Sequence, residues 1–90
     1  MTIDEIRTAI NQIDDQLLQL FNERASLALK IGHIKQQQDL PIYDPRREKL
    51  IFERMRQDNP GPLEDSAIIR LFERVIDESR SLERAKSRKD

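Results

Sequence analysis

The sequence predicts an all-α fold in which one very long N-terminal helix precedes two shorter helices. All four prolines fall after residue 40, and before it apolar residues recur at steps of three, four or seven positions. Charged residues make up 37% of the chain and aromatic residues 4%. This balance is typical of a helical bundle rather than of a sheet protein. The 90 residues are expected to form a single domain, 1–90.

The first helix is predicted over about residues 2–39, with Thr2 or Asp4 near its start to satisfy free backbone amides. At about 1.5 Å per residue it would span about 55 Å, which exceeds the diameter of a globule of this size. Its apolar stripe therefore needs a partner, most simply a second copy of the chain. The stripe comprises Ile3, Ile6, Ile10, Ile13, Leu17, Leu20, Leu27, Ile31 and Ile34.

Proline and turn residues delimit the other two helices. Asp44 followed by Pro45 is typical of a helix N-cap and first helical position, so the second helix is predicted over about 45–58. Asn59-Pro-Gly-Pro62 predicts a turn, after which the third helix is expected over about 63–85, with a polar tail at 86–90. The residues expected to be buried on these helices are Leu50, Ile51, Met55, Ile68, Leu71, Phe72, Val75, Ile76 and Leu82.

Composition argues against several classes of protein. The 16 Lys and Arg residues against 17 Asp and Glu leave no basic excess for nucleic-acid binding. With no cysteine and with His33 as the only histidine, we expect no metal site. The chain has neither an apolar run of about 18 residues nor the apolar core of a signal peptide. We therefore expect a soluble, cytoplasmic protein without a nucleic-acid or membrane partner.

Isolated charges on apolar helix faces are the strongest indication of function, because they are costly to keep there. Arg24 and Lys35 are eleven residues apart, three helical turns to within about 20°, so they can grip one small anion together. Arg7 lies about 25 Å from Arg24 along the axis and can reach that ligand only from another chain. Together with Glu83 on the third helix, these charges predict a small dianionic ligand inside a helical bundle.

Two more groups of polar residues accompany these charges. Asp44, Arg47 and Glu48 crowd the start of the second helix. A cation at Arg47 opposes the helix dipole, which an anionic ligand would offset. On the third helix, Ser79 and Glu83 are one turn apart and share a face.

These residues, in this order and spacing, resemble the all-helical chorismate mutases of the AroQ class along nearly the whole chain. Each matching stretch is weak alone, but the set is specific. The stretches are Ile6-Arg7 with Ile13-Asp14, Leu20-Phe-Asn-Glu-Arg24, Ile31-Gly-x-Ile-Lys35, Pro41-Ile-Tyr-Asp44-Pro-x-Arg47-Glu48, Ile69-x-x-Phe72, and Ser79-x-x-x-Glu83.

The resemblance implies an intertwined homodimer of three-helix protomers with two active sites, each completed by Arg7 of the partner subunit. It implies the isomerisation of chorismate to prephenate, a step of the shikimate pathway toward phenylalanine and tyrosine, without a cofactor. Arg7, Arg24 and Arg47 would engage carboxylates or hold the site together. Lys35 would donate to the ether oxygen and to a carboxylate.

The remaining roles also follow from the resemblance. Glu48 and the Asp44 backbone would meet the ring hydroxyl, and Ser79 would orient a carboxylate. Glu83 would lie beside the ether oxygen, where many relatives carry glutamine. Because an ionised carboxylate only accepts hydrogen bonds, we hypothesise that Glu83 works protonated. Lys35, Glu83 and Arg24 are the expected catalytic residues.

Two alternatives stay open on the sequence alone. An isochorismate pyruvate-lyase on the same scaffold uses a similar arginine and lysine set, although Glu48 and the Ser79/Glu83 pair favour the mutase. A regulatory or dimerisation domain of an aromatic-pathway enzyme is the second alternative, because related domains occur fused to such enzymes. Fusion to, or association with, another enzyme of the pathway is therefore also left open.

Overall fold

A computed structural model describes residues 1–87 of the chain. Three helices, α1 (Ile3–Gln37), α2 (Pro45–Asp58) and α3 (Asp65–Ser87), follow one another, and no strand occurs in this part of the chain. The prediction of an all-α protomer with a very long first helix is confirmed. The helix bounds differ from the expected ones by at most two residues.

Local hydrogen bonds explain where α1 begins and ends. The Thr2 hydroxyl accepts from the Glu5 N–H at 3.1 Å, and the Glu5 carboxylate accepts from the Thr2 N–H at 3.4 Å, which forms a capping box. At the other end, Asp39 has a φ of 54° and the Leu40 N–H donates to the Lys35 carbonyl at 2.8 Å. This Schellman-type closure ends the helix before the expected residue 39.

Side chains in the following turns set the other helix ends. The Asp44 carboxylate accepts from the Arg47 N–H at 3.1 Å and caps α2. The Asn59 amide donates to the Leu63 carbonyl at 2.8 Å and to the Asp65 carboxylate at 2.7 Å. Leu63 is thereby held in the turn, so α3 begins two residues later than expected. The rest of the predicted polar tail, 88–90, lies outside the described residues.

The three helices form a thin layer rather than a globule. α3 packs against both α1 and α2. The molecule measures 54 × 29 × 14 Å, and a helix with its side chains is about 10–12 Å wide, so the layer is one helix thick. Within residues 1–87, the only large apolar residues that are buried are Ile51 and Ile76, which are 5% and 8% exposed. A layer of this thickness cannot enclose a core of ordinary size.

Much apolar surface consequently stays exposed. Every residue of the predicted stripe on α1 is between 42% and 67% exposed. Leu50 and Leu71 were expected to be buried, but they are 58% and 55% exposed because no element of the protomer covers them. Contiguous apolar surface of this extent marks an interaction site. No helix in the described part of the chain has both the length and the apolar character to cross a membrane.

Candidate active site

A cavity of about 470 Å³ opens between the helices. This volume falls within the range of about 300–1,000 Å³ that is common for small-molecule sites. Apolar side chains from all three helices form part of its wall, including Ala28, Ile51 and Ile76. Seven of the eight predicted site residues also line it, namely Arg24, Lys35, Asp44, Arg47, Glu48, Ser79 and Glu83.

Arg24 connects α1 to α3 at the cavity wall. Its Nη1 donates to the Oγ of Ser79 at 3.1 Å, and Ser79 is buried. A guanidinium carries five N–H donors, so this contact leaves several of them for a ligand. The Ser79 hydroxyl accepts from Arg24 and keeps its own proton for donation.

Lys35 lies in the last turn of α1, where a cation is favourable at the negative end of the helix dipole. Its Nζ donates to the backbone carbonyl of Ile42 at 3.2 Å. This bond orients the half-buried side chain between α1 and the loop before α2. Because an ammonium has three donors, two remain for a bound anion.

The start of α2 contributes both signs of charge. The carboxylate of Asp44 acts as the helix cap, which gives it a structural role of its own. Arg47 is exposed and lines the cavity at the positive end of the α2 dipole. An anionic ligand would offset the unfavourable interaction of this cation with the dipole.

Arg80, which was not among the predicted site residues, also lines the cavity. Its Nη2 lies 2.8 Å from Oε2 of Glu48, and the two side chains are 21% and 20% exposed. Its Cζ lies 4.8 Å from the ring centroid of Tyr43. A signal was present in the sequence: Ile76, Arg80 and Glu83 have the spacing of one helix face.

Glu83 is the least satisfied polar residue of the site. Its Oε2 is buried and has no hydrogen-bond partner within residues 1–87. Burial raises the pKa of the Glu83 carboxyl, although the positive charges of Lys35, Arg80 and Arg24 partly lower it. The carboxyl packs against Gly32, a buried glycine of α1. The glycine thus leaves the space that the Glu83 side chain occupies.

Arg7 does not line the cavity of the protomer. It lies exposed in the second turn of α1, 17 residues before Arg24, or about 25 Å along the helix. One chain alone therefore does not bring together all the predicted site residues. In the described part of the chain, no group of three or more His, Asp and Glu side chains is arranged to hold a metal ion.

The cavity carries the cations Arg24, Lys35, Arg47 and Arg80 and the carboxyl groups of Asp44, Glu48 and Glu83. Two of these carboxyl groups already have protein partners: Asp44 accepts from the Arg47 N–H, and Glu48 pairs with Arg80. The arrangement can bind and orient a small dicarboxylate and can stabilise charge that develops within it.

Known proteins share both the sequence and the fold of this chain. The chorismate mutase of Methanocaldococcus jannaschii is 37% identical over 81 residues, which cover 89% of this chain and 82% of that protein. A crystal structure of chorismate mutase from Helicobacter pylori in complex with prephenate aligns with a TM-score of 0.86. The two share 31% sequence identity, and the alignment covers 97% of each chain.

A second kind of relative is longer. The bifunctional chorismate mutase/prephenate dehydratase of Aquifex aeolicus is 38% identical over 86 residues, which cover 91% of this chain and 24% of that protein. This chain thus spans about a quarter of the length of the bifunctional relatives that it matches. The model of the family "Chorismate mutase type II" matches residues 6–84. Since that match covers most of α1 and α3, all of α2 and every residue that lines the cavity, the chain belongs to the type II chorismate mutase family.

Proposed function

We propose that this protein converts chorismate to prephenate, a pericyclic rearrangement in which one ether C–O bond breaks and one C–C bond forms within the same molecule. One observation carries the proposal: Arg24 and Lys35 of α1 share a cavity with Ser79 and Glu83 of α3. A rearrangement of this kind needs no nucleophile. It needs a flexible dianion held in a reactive shape and stabilisation of the charge that separates across the breaking bond.

Cations bind the two carboxylates of the substrate in this proposal. Arg24, Arg47 and Arg7 of the partner subunit supply guanidinium donors, and Ser79 orients one carboxylate through its free proton. Lys35 donates one of its remaining protons to the ether oxygen and another to a carboxylate. The hydrogen bond from Arg24 to Ser79 supports this assignment, because it aligns two of these groups before the substrate binds.

The acidic residues have different tasks. Glu48 and the Asp44 backbone meet the ring hydroxyl. Glu83 is protonated and donates to the ether oxygen, on which negative charge develops. The buried, unpartnered Oε2 and the raised pKa of Glu83 support this role, because both favour the neutral acid.

We also propose that the active unit is an intertwined homodimer. The exposed stripe on α1 and the thickness of a single helix support a second copy as the partner. The distance of Arg7 from the cavity supports the donation of this residue across the interface. Association with a prephenate-consuming enzyme is a further expectation, supported by the bifunctional relatives. The cytoplasmic location stays a prediction.

The decisive experiment incubates the purified chain with chorismate under mildly acidic conditions and measures the loss of chorismate and the appearance of prephenate. Arg24→Ala is expected to lower kcat/KM about 100-fold or more, because the carboxylate loses a preorganised donor. Lys30→Ala removes an exposed cation from the same helix and serves as the matched control. Absence of turnover by the unaltered chain would refute the proposal.

A parallel incubation with isochorismate distinguishes the mutase from an isochorismate pyruvate-lyase. Release of salicylate and pyruvate from isochorismate, without prephenate from chorismate, would assign the cavity to that reaction. Catalysis by the isolated chain in either reaction would exclude a purely regulatory domain.

A further inference from the structure

Among the contacts within residues 1–87, Arg80 is the one cation of the cavity with both a carboxylate partner and an aromatic partner. Its Nη2 donates to Oε2 of Glu48 at 2.8 Å, and its guanidinium lies over the ring of Tyr43. The same nitrogen lies 3.4 Å from the carboxylate of Asp77, one turn earlier on α3. Two adjacent residues of α3 thereby connect it to the other two helices: Ser79 accepts from Arg24 of α1, and Arg80 donates to Glu48 of α2.

We propose that Arg80 is a positioning residue that holds the Glu48 carboxylate oriented toward the ring hydroxyl of the substrate. This inference rests on the proposed function and adds a residue to which no role has been assigned so far. Arg80 acts through Glu48 and is not itself a ligand of the substrate carboxylates.

The geometry supports action through Glu48 in two ways. A carboxylate has two acceptor oxygens, so the bond from Arg80 to Oε2 leaves Oε1 free to accept a hydrogen bond from the ring hydroxyl. The pair is about four-fifths buried, where a charge-assisted hydrogen bond is stronger than on an open surface. Without Arg80, the Glu48 side chain would lose the hydrogen bond that fixes its rotamer.

The surroundings of Arg80 also restrict where it can point. The cation–π contact with Tyr43 restricts the guanidinium on one side, and the carboxylates of Glu48 and Asp77 both accept from Nη2. Arg24, Lys35 and Arg47 carry no such carboxylate pairing within residues 1–87. These three cations suit the substrate carboxylates, whereas Arg80 already forms an ion pair with a carboxylate of the protein.

A double-mutant cycle tests whether Arg80 acts through Glu48. Arg80→Met, Glu48→Gln and the double variant are compared for kcat and KM with chorismate. Arg80→Met alone is expected to lower kcat about 10- to 100-fold, the range for a hydrogen bond to a charged group, with little change in KM. In the Glu48→Gln background, it should lower kcat by no more than about twofold.

Arg74→Met is the matched control, because Arg74 forms an i,i+4 pair with Glu78 on the same helix but both side chains are exposed. It should leave kcat and KM unchanged. Arg80→Lys, which keeps the charge but loses the planar guanidinium, should recover part of the lost kcat. If Arg80→Met does not fold, the cycle is run with Arg80→Lys in both backgrounds.

The outcomes separate this inference from the proposed function. A raised KM in Arg80→Met, additive with the effect of Glu48→Gln, would show direct contact with the substrate and overturn the positioning role. Wild-type rates in Arg80→Met would also overturn it. If the unaltered chain does not convert chorismate at all, the proposed function itself fails.

Discussion

The Glu83 side chain lies so close to Gly32 that the two residues form one unit of the site. A Cβ placed at residue 32 would lie 3.1 Å from Cγ and 3.3 Å from Oε2 of Glu83. Glycine is unfavourable inside a helix by about 1 kcal/mol relative to alanine. The close approach of Glu83 gives a structural reason for a glycine at this position, because a larger residue would crowd the carboxyl.

Gly32→Ala is therefore expected to lower activity without lowering stability. The new methyl group displaces the Glu83 carboxyl by a few tenths of an ångström, and misplacement on this scale costs about tenfold in kcat. Helix propensity offsets the crowding, so the melting temperature should stay near that of the unaltered chain. In a Glu83→Ala background the obstructing atoms are gone, and Gly32→Ala should stabilise the fold and change kcat no further. A full loss in that background would contradict the role of this contact.

The role proposed for a protonated Glu83 predicts how catalysis depends on pH. Burial raises the pKa of this carboxyl, so its proton is lost as pH rises through the raised value, and with the proton goes the proposed donor. We expect kcat/KM to fall over that range, and Glu83→Gln to flatten the fall because an amide donates at every pH. Identical pH profiles for the two proteins would contradict this mechanism.

The stability of the fold should depend on the protonation of Glu83 as well. A carboxyl with a raised folded-state pKa contributes most to stability below its ordinary pKa, and this contribution is lost as pH rises through the raised value. Glu83→Gln should therefore show a weaker decline of melting temperature over that range, measured by calorimetry.

Mixed dimers test the donation of Arg7 across the interface. Arg7→Ala and Arg24→Ala are each expected to be inactive, but in a mixed dimer one of the two sites recovers both arginines. Unfolding the two variants together in equal amounts and refolding them should restore about a quarter of wild-type activity if pairing is random. A mixture of Arg24→Ala with Lys35→Ala is the control, since both residues belong to one chain and no site is repaired. No recovery in the first mixture would place Arg7 outside the partner's site.

The apolar stripe of α1 predicts the sensitivity of the dimer to charge. Ile10 is 49% exposed in the protomer, and an unpaired carboxylate buried at this position is costly. Ile10→Glu should weaken association about 100-fold or more, as measured by sedimentation equilibrium. Gln12→Glu adds the same charge to the opposite side of the helix and should leave the dimer intact. Equal effects of the two substitutions would argue against the stripe as the interface.

Local sequence signals predicted the helices well, because caps and apolar spacing act over a few residues. Their exact ends depended on less regular interactions. Asp39 adopts a left-handed backbone conformation that ends α1. The Asn59 side-chain amide donates to the Leu63 carbonyl, so α3 begins after Leu63 rather than at it. The burial of Leu50 and Leu71 was predicted wrongly for the protomer, because periodicity identifies an apolar face but not the surface that covers it.

In the site, too, the sequence predicted relationships within one helix but not contacts between helices. Arg24 and Lys35 could be paired from the sequence because both stand on one helix at a fixed spacing. Arg80 was missed because its partner, Glu48, is 32 residues away on another helix. The sequence shows a glycine inside a helix at position 32. Only the packing of α1 against α3 shows that Glu83 is the neighbour for which this glycine leaves space.

A layer one helix thick has a consequence for how this protein responds to dilution. With so few buried apolar side chains in each chain, folding and association are expected to form a single equilibrium. The melting temperature should then rise with protein concentration, and activity per chain should fall once dilution separates the partners. By mass action, the concentration of the chain itself becomes a regulator of the reaction.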